Sequence, residues 1–542
     1  MIPGSSNPLL FSKGLTYQVS RSLRFNATDS AHLTRTPSVA GNRKKWTWSG
    51  WVKMFNVSNV SAQVILSAGP LSTSGNETGL IYLWLNSARL SLKSWHAVGS
   101  VTEAVTVPFL SDATAWYHIL VVLDTDNATA ADRVQFYVNN SRISTSGTYP
   151  ALGTQYDINN TVAHGICRYV WSPGSYQPNV QLAEINFIDG QALLPASFGA
   201  TDVYGEWQPI SYSGTYGTNG YRLNFSDNSA VTATTLGKDQ AGTNNWTPVN
   251  LSVTAGADND SHVDSPTSYG TDTGVGGEVR GNYAVLNPLH AYLATTANGG
   301  LFCITGTGWI GSTHHVSTGK WYAEFEVPST GGTTQMFGVC TSAHNATTRP
   351  WQTAGTPGVT YYVSNGGIYV DGSFATSVGG AAANNIISVA IDVDTRSVVI
   401  RKNNVTVTTR TIGVANSYMF YVSDGGTSSA ATVNFGQRPF AYIAPSGYKA
   451  LCDTNLDAGS ITTNGTFTGN ANANGPFVWL NGTPTAMTIN GNAVTFGTHA
   501  DKLASGFKLR TSSLTHNASG NNTYSVTTTG NPFKYTRAQL TP

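Results

Sequence analysis

Apolar and polar residues alternate with a period of two along much of this chain. Val134, Phe136 and Val138 alternate with Gln135, Tyr137 and Asn139, and Val389, Ile391 and Val393 alternate with Ser388, Ala390 and Asp392. Successive side chains of a strand point to opposite faces, so this period predicts half-buried strands. The unbroken apolar run Ile119-Leu120-Val121-Val122-Leu123 predicts a strand buried on both faces. Two hairpins are expected, Arg133 to Ile143 turning at Asn139-Asn140 and Val398 to Val407 turning at Asn403-Asn404. Asn tolerates the positive φ that a tight hairpin turn requires. There is no sustained heptad pattern and no long amphipathic helix. The expected fold class is all-β: tandem antiparallel β-sandwiches followed by a small C-terminal β module.

Composition narrows the function classes. The 542 residues allow about three or four domains at roughly 150 residues each. With 57 glycines and 22 prolines, turns are frequent and strands short. Charged residues make up 11% of the chain and the net charge is +1, against about 25% charged in ordinary domains. The surface must be covered by Ser, Thr, Asn and Gly. Nucleic-acid binding would need a concentrated basic patch, and the one dense basic run, Arg43-Lys44-Lys45, reads as a strand cap. Hydrophobic residues at 40% are enough for several cores, which argues against disorder. Cys167, Cys303, Cys340 and Cys452 form no CxxC pair; a Cys303–Cys340 bridge is conceivable, but buried thiols are the expectation. The start, Met1-Ile2-Pro3-Gly4, lacks a basic region, and Pro8-Leu9-Leu10-Phe11 is short for a signal peptide. Synthesis in a cytoplasm, without secretion or membrane insertion, is therefore expected.

The order of segments carries a resemblance. Ser22-Leu23-Arg24-Phe25, Trp48-Ser49-Gly50-Trp51-Val52, Trp116-Tyr117-His118, Phe136-Tyr137-Val138-Asn139 and Glu184-Ile185-Asn186-Phe187-Ile188-Asp189-Gly190 resemble, in that order, a laminin-G-like, concanavalin A-like jelly roll. The resemblance covers residues 21–200 and is to the version common in phage tail and fibre proteins, with Asn139-Asn140 where Asn-Gly is usual. Residues 1–20 read as an arm without a core of its own, suited to virion attachment. Residues 201–281 form a Gly/Asn/Thr-rich extension, within which Thr254 to Gly281 reads as a linker. In 282–456, Gly319-Lys320-Trp321-Tyr322, Val389-Ala390-Ile391-Asp392 and Asn434-Phe435-Gly436 resemble a SPRY/B30.2 sandwich. Residues 457–542 resemble a β module at the C-terminal ends of phage fibre-like proteins.

Because concanavalin-type sandwiches include glycoside hydrolases, the carboxylates matter. Glycosidic hydrolysis usually needs two carboxylates flanking the bond, and the Glu-x-Asp-x-x-Glu strand of the glucanases is absent here. Glu324 and Glu326 share a strand face by alternation, which reads as a solvated face. There is no Gly-x-Ser-x-Gly elbow, and His314-His315, in a loop-like stretch, falls on opposite faces of any strand. No enzyme activity is expected. Asp124, Asp126 and Asp132 could supply oxygens to Ca2+, although a turn in which Asp and Asn bond their own backbone is the preferred reading; no cofactor is expected. Sugar-stacking candidates are Trp84, Trp95, Tyr169, Trp171 and Tyr176, each weighed against ordinary core or turn packing. Trp351, within Arg349-Pro350-Trp351-Gln352, lies where SPRY loops bind partners.

Taken together, the resemblances imply a surface protein of a tailed-phage virion: a tail fibre, tail tip or capsid fibre. Its expected partners are other virion proteins and a host cell-surface glycan, and fibres it resembles are commonly trimeric. A purely structural decoration or cement protein is the alternative, and a glycan depolymerase is disfavoured.

Overall fold

A computed structural model of the chain describes residues 17–55, 63–69, 80–86, 89–96, 100–106, 115–170, 172, 174–202, 206–328, 334–344, 347–427 and 429–455, together with strand segments of the C-terminal region at 461–468, 477–479, 483–489, 492–494, 500–503, 506–509, 521–529 and 538–539. Among the described residues every strand pair is antiparallel, and the helical turns are 3-10 turns of three residues. The protein is all-β. It divides into two compact units, the first comprising residues 1–254 and 258–269, the second residues 255–257 and 270–542.

The first unit is built on two eight-stranded sheets. One runs in the order Ser141–Ile143, Val134–Val138, Trp116–Asp124, Lys45–Met54, Val180–Asp189, Ser22–Phe25 and Ser261–His262, with Tyr221–Leu223 on the far half of Val180–Asp189. The other runs Thr145–Thr148, Ser100–Thr106, Arg89–His96, Leu80–Asn86, Gln63–Gly69, Ala163–Ile166, His32–Arg35 and Thr247–Val249. Trp46, Trp48, Leu83, Leu92, Phe136 and Leu182 belong to one buried cluster supplied by both sheets. Gly50 makes room within it, since a Cβ there would stand 2.7 Å from the Trp48 ring. The other face of the first sheet is covered too: Trp51 and Trp116 pack with Val19, and Leu120 and Val122 pack with Phe198. The Asn139-Asn140 turn forms as expected, with φ of 44° and 71°, and Asn403-Asn404 repeats it in the second unit at 48° and 68°.

Two expectations for this unit are corrected. Gly, Asp, Ser and Thr dominate the stretch from Thr254, which gives it the composition of a linker. Its first half is instead buried: Ser261 pairs with Leu23, Arg24 bonds Asp260 at 2.9 Å, and Lys53 bonds Asp264 at 2.6 Å with both side chains out of solvent. Trp246, 1% exposed, joins the main core, and Thr247–Val249 pairs with His32–Arg35. Polar composition misled because the segment is held by ion pairs rather than apolar area. Likewise, the end of the supposed arm is not without a partner in its own chain. Val19 is buried; its N–H donates to Thr267 Oγ1 at 2.9 Å and its carbonyl accepts from Ser265. Residues 1–16 lie outside the described residues.

The second unit is organised by one twelve-stranded sheet. Its longest strand, Phe302–Val316, pairs at one end with Ser429–Asn434 and at the other with Tyr418–Asp424. A register shift between Gly311 and His315 separates pairing regions, the local bend that an irregular strand allows. Its buried residues include Trp309, Phe325, Phe337, Ile391 and Phe420. Tyr283 bridges Cys452 and Gly277 N–H donates to Gly436 O, so the latter half of the supposed linker also belongs to a folded unit. In the C-terminal region, Ile461–Thr468, Asn521–Thr529, Thr483–Ile489 and Asn492–Ala493 form one four-stranded sheet. Ala500–Leu503, Gly506–Leu509, Phe477–Trp479 and Ala538–Gln539 form another. All four cysteines are free and buried.

Candidate functional site

Any reaction would need an acid, base or nucleophile with an open face. The nearest approach to a dyad is Ser49 and His118, whose Oγ and Nε2 are 2.8 Å apart. Trp207 Nε1–H donates to His118 Nδ1 at 3.0 Å. A neutral imidazole that accepts at Nδ1 carries its proton on Nε2, so it donates to Ser49 and cannot take the serine proton. Burial lowers its pKa to about 3, and Trp51, Phe198 and Trp207 surround the ring. His118 is thus a packed, neutral core residue.

The carboxylates are similarly committed. Glu184 sits at a bulge in Val180–Asp189, with φ 47°, and its Oε1 accepts from Arg222 Nε at 2.7 Å. Arg222 also donates to the Tyr17 hydroxyl and lies over its ring. Glu324 corrects the reading of a solvated strand face: it is 3% exposed. Its carboxylate accepts from the N–H groups of Ala441 and Tyr442 at 2.7 and 2.9 Å and from the Tyr322 hydroxyl at 3.0 Å. Burial raises its pKa, against the pull of those bonds. Glu326, two residues along, is half-buried, so the two carboxylates share a face but not an environment. His314 and His315 lie inside Phe302–Val316, not in a loop, and both are buried.

The calcium candidates do not converge. Asp124 bonds Lys45 at 3.0 Å, Asp126 bonds Lys44 at 3.3 Å and Asp132 bonds Arg142. Asn127 N–H also donates to Asp124 O, closing the turn on its own backbone. Among the described residues, no group of three or more His, Cys, Asp or Glu could hold a metal ion.

The aromatic candidates divide. Tyr169 is buried, and Tyr176, 44% exposed, meets its ring edge-on at 5.3 Å. Tyr176 has φ 57°, and its carbonyl accepts from Val64 N–H at 2.9 Å, so its loop is tied to the start of the interior strand Gln63–Gly69 while its ring meets solvent. Trp171 lies outside the described residues, as do the side chains of Trp84 and Trp95. Strand register sets Trp84 opposite Ser91 and Trp95 opposite Leu80 and Val101. Beside them Ser91 Oγ donates to Glu103 at 2.8 Å and Lys93 pairs with Glu103 at 3.4 Å.

Trp351 is in the second unit, on the 3-10 turn Pro350–Gln352. Its Nε1–H donates to Asp424 O at 3.0 Å, the Arg349 guanidinium lies over its ring, and Tyr369 meets it edge-on at 4.9 Å. Tyr369 in turn meets Phe374 at 5.6 Å. Sequence reasoning missed Tyr369 and Phe374. A signal was available: Asp371-Gly372, with φ of 47° and 77°, is a strong hairpin turn pair, and it makes Tyr369 and Phe374 cross-strand partners.

No curated protein matches the chain. Similar solved structures include the SPRY domain of human HERC1, at 15% identity and TM-score 0.24, covering 29% of this chain and 99% of that one. A heptameric SAP-like pentraxin from Limulus polyphemus is similar at 16% identity and TM-score 0.25, covering 33% and 80%. Domains LG4-5 of the mouse laminin alpha1 chain are similar at 9% identity and TM-score 0.26, covering 81% and 96%. Within the first unit, residues 25–185 match the family model described as the concanavalin A-like lectin/glucanases superfamily, Laminin_G_3.

Proposed function

We propose that this protein is a non-enzymatic, glycan-binding adhesin on the surface of a tailed-phage particle. The observation that carries the reading is a concanavalin A-like lectin/glucanase match over residues 25–185 in a unit where Glu184 and His118, the groups nearest to catalytic chemistry, are tied into internal bonds. Binding needs less than hydrolysis does: ring faces to stack on and neutral hydrogen-bonding groups. The chain supplies both, with 11% aromatic and 11% charged residues. The phage assignment rests on the order of the jelly-roll and SPRY-like segments. It carries with it assembly in the host cytoplasm, a place on the virion beside other virion proteins, and a trimer as the oligomer. Weak single contacts then add up through many copies on one particle.

The test incubates the purified chain with host capsule or lipopolysaccharide and measures both retention and product size. Retention without shortening is expected. Because screening acts on charges, retention should change little between low and high salt. Progressive shortening of the polysaccharide, lost on replacing one carboxylate, would overturn the non-enzymatic reading.

A further inference from the structure

The second unit carries three aromatic rings in one chain of contacts at its surface: Trp351 on Tyr369, and Tyr369 on Phe374. Phe374 is 61% exposed, and Trp351 and Tyr369 are half-buried. The strand of Phe374, Ser373–Ser377, ends the sheet order and pairs with Gly367–Val370, which carries Tyr369. Gly367 lies beneath, where a Cβ would stand 3.4 Å from Tyr369 and 3.6 Å from Phe374, so the rings rest close on the backbone.

The polar groups around the rings are fixed. Arg349 Nη1 donates to Asp424 Oδ1 at 2.8 Å and Nε to Gln352 Oε1 at 3.0 Å. Among the described residues Nη2 has no partner. Asp424 is fully buried, and its carboxylate also accepts from the N–H groups of Gly308 and Gly426. The Thr348 and Thr353 hydroxyls bond each other at 2.8 Å nearby.

We infer that Trp351, Tyr369, Phe374 and Arg349 form a binding site for a neutral saccharide, a second such site in a chain already proposed to bind glycan, and this inference rests on that reading. Sugar C–H faces stack on aromatic rings, and the guanidinium presents donors in a rigid plane for ring hydroxyls. The ligand is neutral because the positive charge of Arg349 is already balanced by Asp424, leaving no net cation for a carboxylate sugar. The rings are held in place before any ligand arrives, which lowers the ordering cost of binding.

The full chain and two variants, Phe374→Ala and Phe374→Trp, should be compared on an array of neutral and sialylated oligosaccharides. Phe374 is exposed, so its replacement leaves folding intact. The wild type is expected to bind neutral oligosaccharides, with apparent affinity about tenfold lower for Phe374→Ala and retained by Phe374→Trp. Unchanged binding by Phe374→Ala overturns this site and leaves glycan binding to the first unit. Loss confined to sialylated ligands overturns the neutral assignment. Absence of any binding by the wild type overturns the adhesin reading itself.

Discussion

Two sets of carboxylates, one in each unit, are satisfied in opposite ways. In the first, the returning segment 260–267 brings Asp260 and Asp264, and the jelly-roll strands meet them with Arg24 and Lys53. Trp116 Nε1–H adds a bond to Asp264 at 2.9 Å. In the second, the strands or turns bring the carboxylate and the partners are largely main-chain amides. Glu324 takes the N–H groups of Ala441 and Tyr442, Asp371 those of Gly358 and Gly413, and Asp272 that of Ala450. The first arrangement matches charge with charge; the second matches a charge with dipoles. Neutralising Asp264 therefore leaves the buried Lys53 cation uncompensated, whereas neutralising Glu324 leaves only under-bonded donors.

The matched amide substitutions Asp264→Asn and Glu324→Gln should separate these cases. Breaking a buried ion pair from one side costs roughly 3–5 kcal/mol, whereas an unsatisfied buried donor costs about 1–3 kcal/mol. Hydrogen exchange of peptides from each unit reads the two effects separately. Asp264→Asn should raise exchange throughout the first unit and do so more than Glu324→Gln does in the second. Equal losses would break the comparison. The same logic expects residues 21–200 alone to fail as a folded domain, since they lack Asp264, Trp246 and the strand Thr247–Val249.

That boundary was the part of the fold least legible in the sequence. Strand period, the Asn-Asn hairpins and the jelly-roll order are local signals, readable from neighbours in the chain. The partner of Lys53 lies 211 residues away, and nothing in Asp258-Asn259-Asp260-Ser261 distinguishes a buried ionic segment from a solvated linker. The burial of Glu324 is illegible for a related reason: two of its partners are main-chain amides, which every residue except proline possesses. At the candidate sites, Trp351 was legible as an aromatic in a turn. The neighbours that give it meaning, Tyr369 and Phe374, required the pairing of a hairpin 18 to 23 residues further on.

Acid acts on both units through buried histidines, since burial also holds the pKa of His315 in the second unit well below its ordinary value. His118 and His164 lie in the first unit and are held neutral by burial, with pKa lowered from 6.5 to about 3 and about 4. Each accepts a hydrogen bond at one ring nitrogen, from Trp207 at His118 Nδ1 and from Asn159 N–H at His164 Nε2, so a second ring proton would face a donor. The unfolded chain protonates both near 6.5. Below that pH the unfolded state binds more protons, and stability falls as pH falls. The first unit should lose a few kcal/mol between pH 6.5 and 4. His118→Gln, neutral at every pH, should flatten part of that slope in urea titrations. An unchanged slope would show that these rings do not govern the acid limb.

The smallest expected effect concerns Asp124, Asp126 and Asp132, where a calcium site was weighed against a turn. Each carboxylate faces a different cation, and hard cations need six or more oxygens arranged around one point. The Asp132–Arg142 pair is well exposed, at 32% and 46% of its side-chain surfaces, where a pair contributes roughly 0–1 kcal/mol. Asp132→Asn should thus shift the urea midpoint of the first unit only marginally. Millimolar calcium should not raise its melting temperature, because a ligand stabilises only by binding the folded state more tightly than the unfolded one. A calcium-dependent rise that Asp132→Asn abolishes would mean that Lys45, Lys44 and Arg142 yield their carboxylates to the ion, and the turn would have to be redrawn as a metal loop.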